Sequence, residues 1–306
     1  MYKGRFLIFL AVLGFLFTGQ SVLAREADTV TDWYIKHFET SIVVNKDSSL
    51  LITENITADV GNVPDKHGIF RVLPTQINTE KGVFKTPIEL ISITDFMGNP
   101  LNYETSQDWA AKTITWKIGD SNMAVTGEHE YKVTYKVRNA VRFESPDFDE
   151  LYWNLLGTFW LLDIDNFSAT VIFPPEIGQQ NTTIAYYTGA FGSKANDLAT
   201  YSWVSDNNVV FSSTAPLPQG VGITASFIFP KNIFTPYQFT FFEKYGQYFF
   251  WLLPLMMLAI CFGFWLKYGK DPKMKKPIPP EFGIPEKPSR TSSRHCSSVI
   301  PRIDFL

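Results

Sequence analysis

Cysteine is nearly absent: the 306 residues hold two, Cys261 and Cys296, and none lies between 25 and 240. A disulfide framework is thereby excluded, and any domain in that stretch must stand on its own hydrophobic core. Histidine is also scarce, at four. His67 has no His or Cys at metal-ligand spacing, and only His37 and His129 accompany it in that stretch. The stretch has no G-x-S-x-G, S-x-x-K, H-E-x-x-H or Walker loop. The pattern therefore assigns no cofactor and no metal. Neither low hydrophobicity nor high net charge is present, with 45% hydrophobic residues and a net charge of −3. Disorder as the main state is excluded. No repeat of fixed period is visible.

What is there begins with two apolar runs. Lys3 and Arg5 precede Phe6 to Phe17, and Val22-Leu23-Ala24 offers a small-residue cleavage site. Residues 1–24 therefore read as a secretory signal peptide, cut after Ala24. The second run, Tyr248 to Leu266, holds nineteen residues without a charge, enough to cross a bilayer as a helix. Trp251 and Trp265 lie near its ends, where indoles favour the interface, and residues 237–247 form an aromatic juxtamembrane segment. Lys267, Lys270, Lys273, Lys275 and Lys276 follow the run, whereas Glu243 and Lys244 before it cancel. The positive-inside rule then places the C-terminus in the cytoplasm and the N-terminal domain outside a plasma membrane.

The chain divides by charge at the same point. Residues 25–240 carry 15 Lys and Arg against 25 Asp and Glu; residues 267–306 carry 9 against 4. An acidic external part repels phosphates, so nucleic acid is excluded as a partner. Anionic membrane lipid suits the basic tail, which reads as disordered.

Alternation with period two dominates residues 33–230. Leu50, Ile52, Ile56, Ala58 and Val60 share one face, broken only by Glu54, and Asn45 to Ser48 makes a turn before them. Residues 35–60 thus predict a hairpin. Tyr131, Val133, Tyr135 and Val137 alternate with charged or polar residues, as do Ile114, Trp116 and Ile118, then Phe167 to Phe173, and Ile223 to Phe229. About eleven strands with Gly, Pro, Asn and Asp between them predict a mainly β protein. The expected fold is an antiparallel β-sandwich ectodomain over 25–236, in one large or two packed lobes, plus a single transmembrane α-helix. Asp149 to Phe159 interrupts the pattern and reads as a helical turn or an aromatic loop.

Four segments fall in order around the apolar span: His67-Gly68-Ile69-Phe70-Arg71-Val72-Leu73-Pro74, Asp149-Glu150-Leu151-Tyr152-Trp153-Asn154 with Gly157 and Trp160, Phe229-Pro230-Lys231, and Tyr268-Gly269-Lys270-Asp271-Pro272-Lys273. Together they resemble the YciQ-like membrane proteins, whose external part is domain of unknown function 2207, over about residues 28–285. The resemblance implies a bacterial envelope protein with an external β domain and no established activity. Similar proteins continue beyond Glu281-Phe282-Gly283-Ile284-Pro285, so a truncated or shifted reading frame is expected near Pro288.

Two groups of residues invite chemistry. Gly68 after His67 allows close backbone approach, and Arg71 could hold a carboxylate or phosphate bidentately. The competing reading pairs Arg71 with an internal acid such as Glu54. Asp147, Asp149, Glu150, Asp163 and Asp165 could do glycosidic acid–base work or bind Ca²⁺, with Trp153 and Trp160 stacking on sugar rings. They could equally belong to a loop packed over the core, and Asp163-x-Asp165 lacks the glycine and terminal Glu of an EF-hand loop. The expected function is a membrane-anchored binding module that takes a protein or glycan partner through loops or an exposed sheet edge. A surface hydrolase using the acids of 147–165 is the alternative. A structural subunit of a membrane complex, packing through Gly263, is another.

Overall fold

The computed structural model describes residues 32–79 and 82–269. The signal peptide expected at 1–24 and the tail after Gly269, with its expected frame shift, lie outside the described residues. The chain divides after Gln238 into two units.

The first unit is β throughout. Its strands are β1 (Tyr34–Val44), β2 (Leu50–Asp59), β3 (Gly68–Pro74), β4 (Gln76–Thr79), β5 (Gly82–Lys85) and β6 (Ile88–Thr94). Then come β7 (Tyr103–Asp108), β8 (Thr113–Gly119), β9 (Glu128–Val137), β10 (Val141–Arg142) and β11 (Phe148–Leu156). The last are β12 (Ile164–Ile172), β13 (Thr183–Gly189), β14 (Ala199–Ser205), β15 (Asn208–Ser213) and β16 (Gly222–Pro230). A seven-stranded sheet runs β14-β15-β12-β1-β2-β9-β6, a four-stranded sheet β10-β11-β16-β13, and a three-stranded sheet β3-β8-β7. Strands β4 and β5 pair as a separate hairpin.

The β1–β2 hairpin forms as its alternation predicts. Asp47 accepts hydrogen bonds from the Ser49 amide at 3.1 Å and hydroxyl at 2.5 Å, and Ser48 takes a left-handed φ of 63°. That geometry closes the turn and puts Ile52 opposite Ile42 and Ile56 opposite Phe38. The same face continues across β9 and β12, with Tyr131 beside Ile56 and Phe167 beside Phe38. Polar residues such as Thr53 and Thr134 occupy the other face.

Both smaller sheets cover that apolar face. Phe211 of β15 meets Phe227 of β16 edge-on at 5.9 Å, and Phe173 meets Phe227 at 5.1 Å. Trp116 of β8 lies 5.3 Å from Tyr135 of β9. The result is a sandwich in which one buried cluster runs beneath both smaller sheets. One core, rather than two separate lobes, holds the described residues of the unit together.

Two expectations need correction, and one pairing adds to the expected antiparallel sandwich. Sixteen strands are found among the described residues, not eleven, because short pieces such as β4, β5 and β10 show no clear alternation. Residues Phe148–Leu156 are strand β11 and not a loop or helical turn. Finally, β1 and β12 pair in parallel, from Ile35 with Ile164 to Val43 with Ile172, within otherwise antiparallel sheets. More than a hundred residues separate these two strands. A connection that long returns the chain to the starting end, at a closure cost that grows only logarithmically with length.

The second unit is the helix α1 (Phe241–Tyr268), which begins ahead of the apolar span and takes in much of the aromatic segment. Thr240 and Glu243 form a reciprocal capping box, and Lys267 stands in the last turn. Both features suit the helix dipole. Its stretch Tyr248–Tyr268 is long and apolar enough to cross a membrane. Pro254 lies inside it, as membrane helices tolerate.

Candidate functional site

Strand β3 alternates so that Ile69, Arg71 and Leu73 point into the core. Arg71 thereby meets Glu54, the residue that breaks the apolar face of β2. Arg71 Nε donates to Glu54 Oε2 at 2.7 Å and Nη2 to Oε1 at 2.5 Å, a bidentate pair. The Tyr135 hydroxyl adds a bond to Glu54 Oε1 at 2.7 Å, and Arg71 Nη1 donates to the Val72 carbonyl at 3.1 Å. The Trp160 ring lies 5.3 Å from the guanidinium. Glu54 is 1% exposed and Arg71 4%.

Burial alone would lower the Arg71 pKa, but the Glu54 carboxylate more than offsets it and the value is raised. Burial, with Glu54 adding to it, holds the Tyr135 hydroxyl well above its ordinary value. The Arg71 fork is thus taken by an internal acid. Beside it, Arg71, Tyr135, Trp153, Asn154 and Gly157 line a cavity of about 30 Å³, room for about one water.

Tyr131, on the same face of β9, is pushed up to about 12 by burial alone. Its unfolded value is near 10, so the native state keeps a proton that the unfolded chain loses between those two values. Stability is full below about pH 10 and falls by ~3 kcal/mol as pH rises through 12, and Tyr135 acts in the same direction. Urea midpoints measured from about pH 9 upward should therefore fall steeply for the wild type. They should fall less for Tyr131→Phe; equal slopes would refute this assignment.

Strand β11 splits its motif between two faces. Asp149, Leu151 and Trp153 point inward, while Glu150, Tyr152 and Asn154 point outward. Asp149 accepts from Lys231 Nζ at 2.8 Å, and the register sets Asp149 opposite Phe229 and Phe148 opposite Pro230. Two of the segments singled out in the sequence are therefore paired strands. The chain beyond β16 is also tied down. Phe234 packs 5.2 Å from Phe229, and the Thr235 amide donates to the Lys46 carbonyl at 2.8 Å.

The outward side of this sheet carries a polar row. Ser226 donates to Glu150 Oε1 at 2.6 Å, and Thr224 donates to Asn154 Oδ1 at 2.7 Å, which leaves the Asn154 amide hydrogens for other acceptors. Tyr187 of β13 lies across Thr224 from Asn154. Burial, then the neighbouring Tyr187, raises the Tyr152 hydroxyl pKa. Arg142 stacks between the Tyr152 ring at 4.8 Å and the Phe84 ring at 5.6 Å, with Nη1 3.7 Å from Glu150 Oε2. Arg142, Glu144, Ser145, Phe148 and Glu150 line a cavity of about 120 Å³ at one end of the row.

The remaining candidates are dispersed. Trp153 and Trp160 are core residues, so neither offers a ring for stacking. Asp163 accepts from the Gln219 amide at 3.1 Å in a loop, and Asp165 is buried in β12 of the other sheet. Asp147 lies in the turn before β11, where its amide meets Ser145 Oγ at 3.2 Å. His67 Nδ1 bonds to the Met123 carbonyl at 3.1 Å. Among the described residues no three His, Cys, Asp or Glu side chains converge as a metal site. Sequence reasoning did not single out Arg142, Tyr187, Thr224 and Ser226. Only the register of β10, β13 and β16 against β11 brings them to Glu150 and Asn154.

A β-sandwich followed by one helix able to cross a bilayer defines a membrane protein with a single large β unit. The chain belongs to the family described as "Predicted membrane protein (DUF2207) N-terminal domain", whose sequence model matches residues 34–229. It is 25% identical over 193 residues to the uncharacterized protein YciQ of Escherichia coli (strain K12). The matched region covers 62% of this chain and 30% of that relative, so the chain spans about a third of the relative's length. Among solved structures, yeast LTA4 hydrolase in complex with bestatin is similar at a TM-score of 0.41 and 9% identity, covering 67% of this chain and 31% of that one. An M1 zinc metallopeptidase mutant from Deinococcus radiodurans is similar at a TM-score of 0.35 and 10% identity, covering 64% and 42%. At such scores neither likeness bears on function.

Proposed function

We propose that the chain is a membrane-tethered binding module, with its β unit outside the plasma membrane of a bacterial cell and its basic tail against anionic lipid inside. The sidedness rests on the five lysines after Leu266, the cancelling charges before Tyr248 and the acidity of residues 25–240. The binding surface is the outward face of the four-stranded sheet, and the ligand is an envelope glycan. One observation carries this reading. Glu150, Tyr152 and Asn154 of β11, Thr224 of β16 and Tyr187 of β13 share one face of a sheet backed by a packed core, with the buried Ser226 bonded to Glu150. Fixed hydrogen-bonding groups beside two aromatic rings suit the hydroxyls and flat C–H faces of sugars. Turnover is disfavoured by the acids themselves: Asp149 and Glu150 lie on opposite faces of one strand, and Asp165 lies in the other sheet.

The test uses the full chain in nanodiscs, titrated with soluble envelope glycan fragments. Replacing Asn154 and Tyr187 together by alanine should weaken binding at least tenfold while melting changes little. The reading fails if no fragment binds saturably, or if the double variant binds as the wild type does.

A further inference from the structure

Every sheet edge exposes backbone groups that can pair with another chain, and natural proteins blunt such edges with charge, proline or bulges. Most edges of this unit are blunted so. Strand β6 carries Glu89, ion-paired to Arg138, and a bulge at Leu90 to Ser92. Strand β7 carries Glu104 and Asp108, and β10 carries Arg142 beneath Phe84. Strand β13 is uncharged, but its own following loop caps it, with the Thr188 amide donating to the Ala195 carbonyl at 2.7 Å.

Strand β14 is different. Its sequence, ATYSWVS, holds neither charge nor proline, its one bulge falls at its end between Trp203 and Ser205 and leaves Ala199 to Trp203 regular, and it ends the largest sheet with β15 as its one partner among the described residues. The Thr214 amide donates to the Leu198 carbonyl at 3.0 Å, which fixes the phase of the ladder. Leu198, Thr200 and Ser202 face β15, so the N–H and C=O groups of Ala199, Tyr201 and Trp203 face the open side. The core is also incompletely covered along this edge. Tyr201 packs 5.6 Å from Tyr186 and 5.4 Å from Phe211, yet stays 37% exposed, and Trp203 is half-buried beside Phe173.

We propose that β14 accepts an extended peptide segment of a partner protein as an added strand. The segment has alternating apolar residues that cover Tyr201 and Trp203, and basic residues at both ends. The ends are set by charge: Asp197 precedes β14, Asp206 follows it, and both are exposed. Eight residues at about 3.4 Å each lie between the two acids, roughly one strand length. A second copy of this chain fits poorly. Antiparallel self-pairing about the middle of β14 would set Asp197 of one copy near Asp206 of the other, at both ends. The inference rests on the binding-module reading but concerns a different sheet and a different ligand from the glycan face, so either can fail alone.

The probes are two capped nonapeptides, KTVTYTVTK and ETVTYTVTE, added to the full chain in detergent micelles. The lysine-ended peptide should bind saturably, at least tenfold more tightly than the other, and slow hydrogen exchange at the Ala199, Tyr201 and Trp203 amides. The double variant Asp197→Lys with Asp206→Lys should reverse the preference. Should that variant melt early, Asp197→Asn and Asp206→Asn singly should each weaken the lysine-ended peptide. Any of four results overturns the proposal: no saturable binding of either peptide at millimolar concentration, equal affinity for both, protection at another edge instead, or a preference unmoved by the charge variants.

Discussion

Replacing Glu54 by alanine should cost about 3–5 kcal/mol of stability, as expected when one member of a buried ion pair is stranded. The Arg71 guanidinium, 4% exposed, would keep its charge and lose both bonds to the carboxylate. The Tyr135 hydroxyl would lose its acceptor as well. What remains, the Val72 carbonyl, the Trp160 ring and the neutral Tyr135 hydroxyl, cannot neutralise a cation in a core. Glu54→Gln should lose less, because the amide oxygen can still accept from Arg71 or Tyr135. The double variant Glu54→Leu with Arg71→Met should be more stable than Glu54→Ala alone, since no charge is left unpaired. Urea denaturation of the three variants in one detergent gives the ordering. A Glu54→Ala midpoint within experimental error of the wild type would mean that Arg71 has another counterion or reaches water.

This pair shows how far the site is legible in the sequence. Glu54 stood out because it occupied an inward position in a strand whose other inward residues were Leu50, Ile52, Ile56 and Ala58. A charge at the centre of an apolar stripe requires a partner, and Arg71 was one of two readings open to the sequence. The β1–β2 hairpin, the inward face of β9 and the apolar helix were legible for the same reason: each is a local pattern, alternation in the strands and an unbroken apolar run in the helix. Strand β11 was not, because its inward position 149 is an acid. Its counterion, Lys231, lies 82 residues away, so the alternation appeared broken where it was merely paired at long range. The parallel contact of β1 with β12 was hidden likewise, since no local pattern encodes which distant strand will lie alongside.

The segments that carried the family likeness divide the same way. Their inward residues Ile69, Arg71, Leu151 and Trp153 join the smaller sheets to the large one, and Asp149 holds Lys231 at the exit of β16. Their outward residues Glu150, Tyr152 and Asn154 are held by neighbours across the sheet rather than by the core, and these are the ones that the proposed reading gives to a ligand. A short motif on a strand therefore mixes two constraints at alternate positions. Read as one functional unit, it offers Trp153 and Trp160 for sugar stacking beside the packing alternative; the pleat turns the first inward and the second packs edge-on against Phe38 at 5.2 Å, so packing is what holds.

The glycine of the His67-Gly68 pair yields the second large effect. Gly68 and Gly119 face each other where β3 meets β8, with φ of 137° and 135°. A Cβ on Gly68 would lie 1.9 Å from the Ile118 carbonyl oxygen, and one on Gly119 would lie 1.9 Å from that of His67. Relief would require sliding two backbones apart next to Ile69 and Ile118, each only 1% exposed. Gly68→Ala should therefore combine roughly 1–3 kcal/mol of backbone strain with a further ~1–3 kcal/mol from forcing apart a packed pair. Gly98→Ala is the matched control: its φ is 92°, but a Cβ there meets nothing within 4 Å, so only the strain applies. Gly68→Ala should melt well below Gly98→Ala, and adding Gly119→Ala should cost less than it does alone, because the first change has already opened the contact. Equal melting of Gly68→Ala and Gly98→Ala would show that the two strands do not approach so closely.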